Sequence, residues 1–479
     1  MLFNSFAFGF FLILTNFLYW IAFNRTRKLR NCFLLAASYF FYGSWDWRFL
    51  FLIMGITATD YIFGRLIHDS KSDGKRKALL AGALVINLGV LFVFKYFNFF
   101  VNSANALIDV LLGIPGGLRT FNIVLPVGIS FFTFQGLGYV IDVYRRETEP
   151  VTDIIAFSTF IAFFPQLVAG PIERAKDLLS QFLDETDRKP FVYDQARRGL
   201  FLIAIGLFKK IVIADRLAIY VDAAYANPVH GLPTLVAVIF FCFQLYLDFS
   251  AYSQIAIGTA KLFGFRLSTN FRRPYMAVTF RDFWSRWHIT LTGWFRDYLY
   301  FPLGGSRCSA TRTAINTMIV FMVSGIWHGA SWNFVIWGII NGLSLIVFDR
   351  WLKLNPKAGV ARLFSALFVT SYWAVSLIFF RAQTFGDAMA MFSNLGFDNA
   401  DALYSFGLKE AEFRFTVWII AGLMLIELLE EKLKDKAEEL FFNGFWLVRW
   451  IPYIAIVLVT IYFGIYGNGS DNNFIYFQF

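Results

Sequence analysis

The sequence predicts an all-α, polytopic membrane protein, and three observations carry that prediction. The 479 residues are 58% hydrophobic and only 16% charged, whereas ordinary globular domains are about a quarter charged. Apolar runs long enough to cross a bilayer, about 20 residues each, recur along the chain with no soluble block of domain size between them. Lys and Arg gather in the short loops between those runs. The bias of basic loops toward the cytoplasm then accounts for the net charge of +10, and no nucleic-acid partner is needed to explain it. Cys32, Cys242 and Cys308 are scattered, so neither a disulfide framework nor a metal site is expected.

The first run, residues 5–23, is followed by Arg25, Arg27, Lys28 and Arg30. A secretory signal carries its basic region before its apolar core, so this run reads as a retained span with an outer N-terminus. Residues 32–42 form a short run assisted by Trp45 and Trp47, residues suited to an interface. Residues 49–67 return inward, and Asp60 within them should face protein. Residues 78–94 cross outward, while the polar stretch 98–116 makes no clear span. Residues 123–144 return to Arg145 and Arg146.

Residues 154–170 have basic flanks on both sides and are broken by Pro165 and Gly170. The run should therefore go in and come back. Irregular backbone at membrane depth is tolerated only against protein or a water-filled cavity, so a re-entrant element lining such a cavity is expected. Residues 199–220 go outward, interrupted by Lys209 and Lys210. Residues 232–263 return with Gln244, Asp248, Ser250, Tyr252, Ser253 and Gln254 in an apolar run, a set that should face the bundle interior.

The chain's informative part runs from Asn270 to Gly338, where two of its four histidines lie. In residues 280–300, Trp284, Trp287, Leu291, Trp294, Phe295 and Tyr298 follow the 3–4 spacing of a helix. His288 shares their apolar face, and the flanking Arg272, Arg273, Arg281, Arg286, Arg296 and Arg307 suit a cytoplasmic interface. The run 313–348 would be roughly 54 Å long as one helix, too long for a single span. With Gly329 near its middle it reads as a two-helix hairpin with His328 near the turn. Residues 362–380, 415–429 and 446–466 complete about 11–12 crossings. The charged run 430–439 falls inside and both termini fall outside.

An ionisable residue at membrane depth is a candidate functional site. The residues alone leave two classes open, a transporter with a proton relay and an acyltransferase with His328 as general base. The absence of paired broken helices of the transporter kind favours the enzyme.

Four stretches go further: DFSAYSQIAIG from Asp248, NFRRPY from Asn270, FRDFWSRWHITLTGWFRDYLYFPLGG from Phe280 and SGIWHGASWNFVIWG from Ser324. Weaker partners are PVGISFFTFQ from Pro126, FFPQLVAGPIER from Phe163, GLFKKIVIAD from Gly206 and the terminal FIYFQF. Together they resemble the membrane-bound O-acyltransferase superfamily, and within it the bacterial alginate O-acetyltransferase branch. The resemblance implies one acyltransferase domain over residues 1–479, with core motifs in 124–350 and C-terminal helices in 360–479. It implies re-entrant pieces around a central passage. It also implies that His328 matches the catalytic histidine and His288 the second histidine of the motif.

The substrate-binding candidates are Asp248, Tyr252, Asn270, Arg281, Trp284, Arg286, Ser324, Trp327, Trp332 and Asn333. The chemistry implied is acyl transfer from a cytoplasmic thioester, acetyl-CoA, with no permanently bound cofactor. An imidazole is suited to take the hydroxyl proton, and NH or OH donors to hold the oxyanion. The partners implied are the bilayer, acetyl-CoA or an acyl carrier, a secreted or periplasmic acetyltransferase, and a polysaccharide, at a bacterial inner membrane. The rival branch transfers D-alanine from a carrier protein to teichoic acid.

Overall fold

The structure, a computed structural model, describes residues 1–353, 356, 359–433, 442–466, 474 and 475. The expected inner run 430–439 beyond residue 433, and the end of the FIYFQF motif, lie outside the described residues. The described residues form helices and connecting turns, with one isolated bridge between Gly231 and Leu395. Among the described residues, six helices are long and apolar enough to cross a membrane: Phe6–Phe23, Phe49–Asp69, Asp73–Leu112, Leu232–Leu262, Trp332–Trp351 and Gly359–Arg381. Other runs read as crossings form helices that are more polar or shorter, such as Arg27–Asp46 and Ala310–His328.

The chain packs as two compact units that interleave in sequence. The first holds Met1–Ala196 and Thr259–Ser268, the second Arg197–Gly258 and Thr269–Phe479.

In the first unit, the stretch 98–116, read as no clear span, is helical as far as Leu112. It continues the preceding span in one 40-residue helix, Asp73–Leu112. Two of its asparagines have partners. The side-chain amides of Asn98 and Asn105 donate to the carbonyls of Phe121 and Leu118 in the returning segment, at 2.7 and 2.9 Å. Asp60 is fully buried, as expected of it, and accepts from Asn87 Nδ2 at 2.8 Å.

The stretch read as re-entrant is helical only over Ile154–Ala162. Nine residues rise about 13.5 Å, well short of a hydrocarbon core of about 30 Å. The irregular backbone that follows is buried, and side chains supply its hydrogen bonds. Gln135 Nε2 and Gln166 Nε2 both donate to the carbonyl of Phe160, at 2.7 and 2.8 Å, and the Phe164 amide donates to Ser38 Oγ at 3.0 Å. Buried main-chain groups need such partners, and two of them come from the PVGISFFTFQ and FFPQLVAGPIER motifs.

The end of the Leu232–Leu262 helix belongs to this unit. Its last carbonyl, at Leu262, which a helix cannot satisfy internally, accepts from Asn16 Nδ2 and Trp20 Nε1 at 3.0 and 2.9 Å, and the next, at Phe263, accepts from Tyr19 Oη at 2.9 Å. Buried Glu173 holds the following turn, accepting from the Ser268 amide and, at 2.9 Å, from Ser268 Oγ. Burial pushes its carboxyl up to about 7.

The second unit contains the Trp-rich segment and the expected hairpin. Ala310–His328 and Trp332–Ser344 are antiparallel helices joined at residues 329–331. They approach closely because both faces carry glycine. A Cβ on Gly325 would lie 2.2 Å from the Phe334 carbonyl oxygen, and one on Gly338 2.3 Å from that of Phe321.

Candidate active site

The expectation of one helix through residues 280–300 needs correction. The helix ends at Arg286 and a new one starts at Ile289. Between them, Trp287 is extended and His288 is left-handed, with φ 42° and ψ 54°. A non-glycine residue there is strained, although histidine tolerates it better than most. The break persists because the upstream segment supplies the bonds an unbroken helix would have made. Asn270 O accepts the Ile289 amide at 2.9 Å, and Arg286 O accepts the Arg272 amide at 2.9 Å. Trp287 O accepts Thr292 Oγ1 at 3.2 Å.

The kink turns His288 inward. Its imidazole is 1% exposed and packs edge-on to Phe249, with centroids 4.7 Å apart. Its Nδ1 lies 3.0 Å from Asn270 Oδ1. The two seven-residue helices are too short to span a membrane, so His288 sits outside the spanning segments. Burial pushes its imidazole down to about 3.

His328 is positioned differently. It is the last residue of a 19-residue helix and is 5% exposed. Trp327, Trp337 and Phe380 stand edge-on around it, with centroids 5.0–5.3 Å away. Trp327 also touches His288, at 6.1 Å.

Both histidines line one cavity of about 60 Å³. Its other walls are Trp284, Trp287, Leu291, Thr292, Phe295, Val320, Phe321 and Ser324. A water needs about 10–15 Å³ on this measure, so the space suits a few small groups and not a long chain. The mixture of aromatic walls and a few polar atoms is that of a small-molecule site. Among the described residues, no group of three or more His, Cys, Asp or Glu is placed to hold a metal ion.

Of the sequence candidates, the cavity brings together His288, His328, Trp284 and Ser324. Trp327 packs beside both imidazoles. Asn270 is fully buried, and its amide is engaged with His288, Thr290 and Ser253. The others do not line this cavity. Asp248 pairs with Lys210 at 2.7 Å, and accepts from the Ile475 amide at 2.7 Å. Lys210 also reaches Asp215 at 2.8 Å. Tyr252 packs on Phe474, centroids 4.6 Å apart. Arg286 binds Asp282 at 2.7 Å and Glu431 at 3.0 and 3.1 Å. Arg281 is exposed, with its amide on Asp349. Asn333 Nδ2 donates to Ala382 O at 2.9 Å, and Trp332 is largely exposed.

Sequence reasoning missed Thr292, Val320 and Phe321. Helical spacing holds the signal for the last two, since residues 320, 321, 324 and 328 share one face of the helix ending in His328.

A family model described as MBOAT, the membrane-bound O-acyltransferase family, matches residues 146–378. A protein named probable alginate O-acetylase AlgI, from Pseudomonas aeruginosa, is 38% identical over 79% of this chain and 71% of its own length. The chain belongs to the membrane-bound O-acyltransferase family. A peptidoglycan O-acetyltransferase of Helicobacter pylori is 31% identical over 86% of this acyltransferase and 83% of its own length. A teichoic acid D-alanyltransferase of Streptococcus thermophilus is 28% identical, over 47% of this chain and 57% of its own. The resemblance read from the motifs therefore holds, including its alginate O-acetylase branch. The chain is a multi-pass membrane O-acyltransferase, and the transporter reading gives way.

Proposed function

We propose that this acyltransferase takes acetyl groups from acetyl-CoA at the cytoplasmic face of a bacterial inner membrane, for O-acetylation of an extracytoplasmic polysaccharide. The observation that carries the reading is one small cavity lined by both motif histidines, in a chain similar to named O-acetylases. His328 takes the proton of an acceptor hydroxyl as its oxygen attacks the thioester carbonyl. The tetrahedral intermediate collapses, the C–S bond breaks, and the thiolate leaves with the proton from His328. Ser324 and Trp284 line the cavity, and their hydroxyl and indole N–H are donors suited to the oxyanion. A short acyl group fits the volume. Both termini lie outside the cytoplasm, and a secreted or periplasmic partner passes acetyl groups on to the polysaccharide.

Transfer of D-alanine from a carrier protein is the second reading, supported by the similarity to teichoic acid D-alanyltransferases. Sided vesicles separate the two. Inside-out vesicles carrying the chain should become labelled from radioactive acetyl-CoA, and right-side-out vesicles should not. Label taken only from an alanylated carrier protein would favour the second reading.

A further inference from the structure

The Asn270 side chain sits at the centre of a closed set of hydrogen bonds. It is 0% exposed, and its Oδ1 lies 3.0 Å from His288 Nδ1, 3.0 Å from Thr290 Oγ1 and 3.4 Å from the Thr290 amide nitrogen. Its Nδ2 donates to Ser253 Oγ at 3.2 Å, on the long helix that also carries Phe249. Side-chain amides can be placed either way round from shape alone, but here the partners decide. A backbone N–H can only donate, so the atom facing the Thr290 amide is the carboxamide oxygen. That oxygen only accepts. The proton between it and His288 therefore sits on Nδ1.

A neutral imidazole carries one N–H. With Nδ1 protonated, Nε2 holds the lone pair, which is the less common neutral tautomer of histidine. The left-handed backbone at His288 and the Asn270 O to Ile289 amide bond make the same joint from the main-chain side. The segment around Asn270 thus grips His288 by its backbone and by one ring nitrogen, and leaves the other nitrogen as the one that can address the cavity.

We infer that Asn270 is a positioning residue that holds His288 as its Nδ1–H tautomer, so that Nε2 accepts a hydrogen bond from a hydroxyl-bearing group in the cavity that His288 shares with His328. This role rests on the acyl-transfer reading for its ligand, the acceptor hydroxyl, but not for the tautomer. It divides the work of the two histidines. In this tautomer Nε2 cannot donate to an oxyanion, so His288 orients the hydroxyl while His328 removes its proton. It also revises Asn270 from a substrate contact to a residue acting through His288.

The test is nitrogen NMR of the full-length chain in bilayers with isotope-labelled histidine. The chain has four histidines, and the His288 signals are those that His288→Gln removes. The expected signature is a protonated Nδ1 and an unprotonated Nε2. A protonated Nε2, with or without a proton on Nδ1, overturns the inference. Asn270→Leu should lose the Nδ1–H signature and lower the turnover number about tenfold or more. Asn270→Asp, which keeps an accepting oxygen, should keep the proton on Nδ1 and so covers the case in which the leucine variant does not fold. A folded Asn270→Leu with unchanged tautomer or unchanged turnover would also overturn it. The signature needs no substrate, so its failure overturns this inference alone, whereas an inactive wild type overturns the acyl-transfer reading alone.

Discussion

The two histidines share a cavity but are held in it by different physics. His328 ends a continuous helix and is seated by shape, with aromatic rings on several sides and a glycine-lined helix contact behind it. His288 interrupts a helix and is seated by direction, through a left-handed backbone and a bond to Asn270. Ring packing fixes where a side chain is. A directed hydrogen bond fixes which nitrogen holds the proton. That arrangement suits a group that must stay in one state.

Removing the residue seated by shape should have the largest effect. His328→Ala is expected to lower acyl transfer by about 10²–10⁴-fold, with normal insertion and extraction from the membrane. Near-wild-type transfer by a well-expressed variant would sink its assignment.

The seat itself comes next. Gly325→Ala places a methyl against the Phe334 carbonyl oxygen, which has no room to yield. Overpacking of this kind costs about 1–3 kcal/mol, so thermal unfolding in detergent should move to lower temperature. Unchanged unfolding would mean that the hairpin is looser than its geometry.

The smallest effect concerns another group held by direction, Glu173. Its pKa is raised in the folded state, so its contribution to stability is full below its unfolded value of 4.5 and is lost as pH rises through about 7. Glu173→Gln keeps an oxygen for the Ser268 amide and removes the titration. The wild type should lose stability relative to this variant between pH 5 and 8, by at most about 3 kcal/mol. Parallel melting curves across that range would contradict the assignment.

Much of this was legible in the sequence where a local rule governs. The hairpin follows from a run too long for one span with a glycine at its centre. Asp60 and the broken run at 154–170 follow from the cost of polar groups in lipid. What was not legible depends on partners far along the chain. The 3–4 spacing passes through His288 without a sign of the break, because the stabilising bonds come from Asn270 and Arg272 upstream. The pairing of Arg286 with Glu431, 145 residues away, is equally invisible to a local pattern. The stretch 98–116 read as no clear span, because the partners of Asn98 and Asn105 lie in the returning segment, at Phe121 and Leu118.

The division of labour between the histidines is tested most directly by the pH–rate profiles of the wild type and His288→Gln. With the His288 imidazole pushed down to about 3, it stays neutral across the working range and contributes amplitude only. The variant should be slower by about tenfold, with every apparent pKa between pH 5 and 9 unchanged. The disappearance of an ionisation in that range on replacing His288 would contradict the account, because it would make His288 a titrating group.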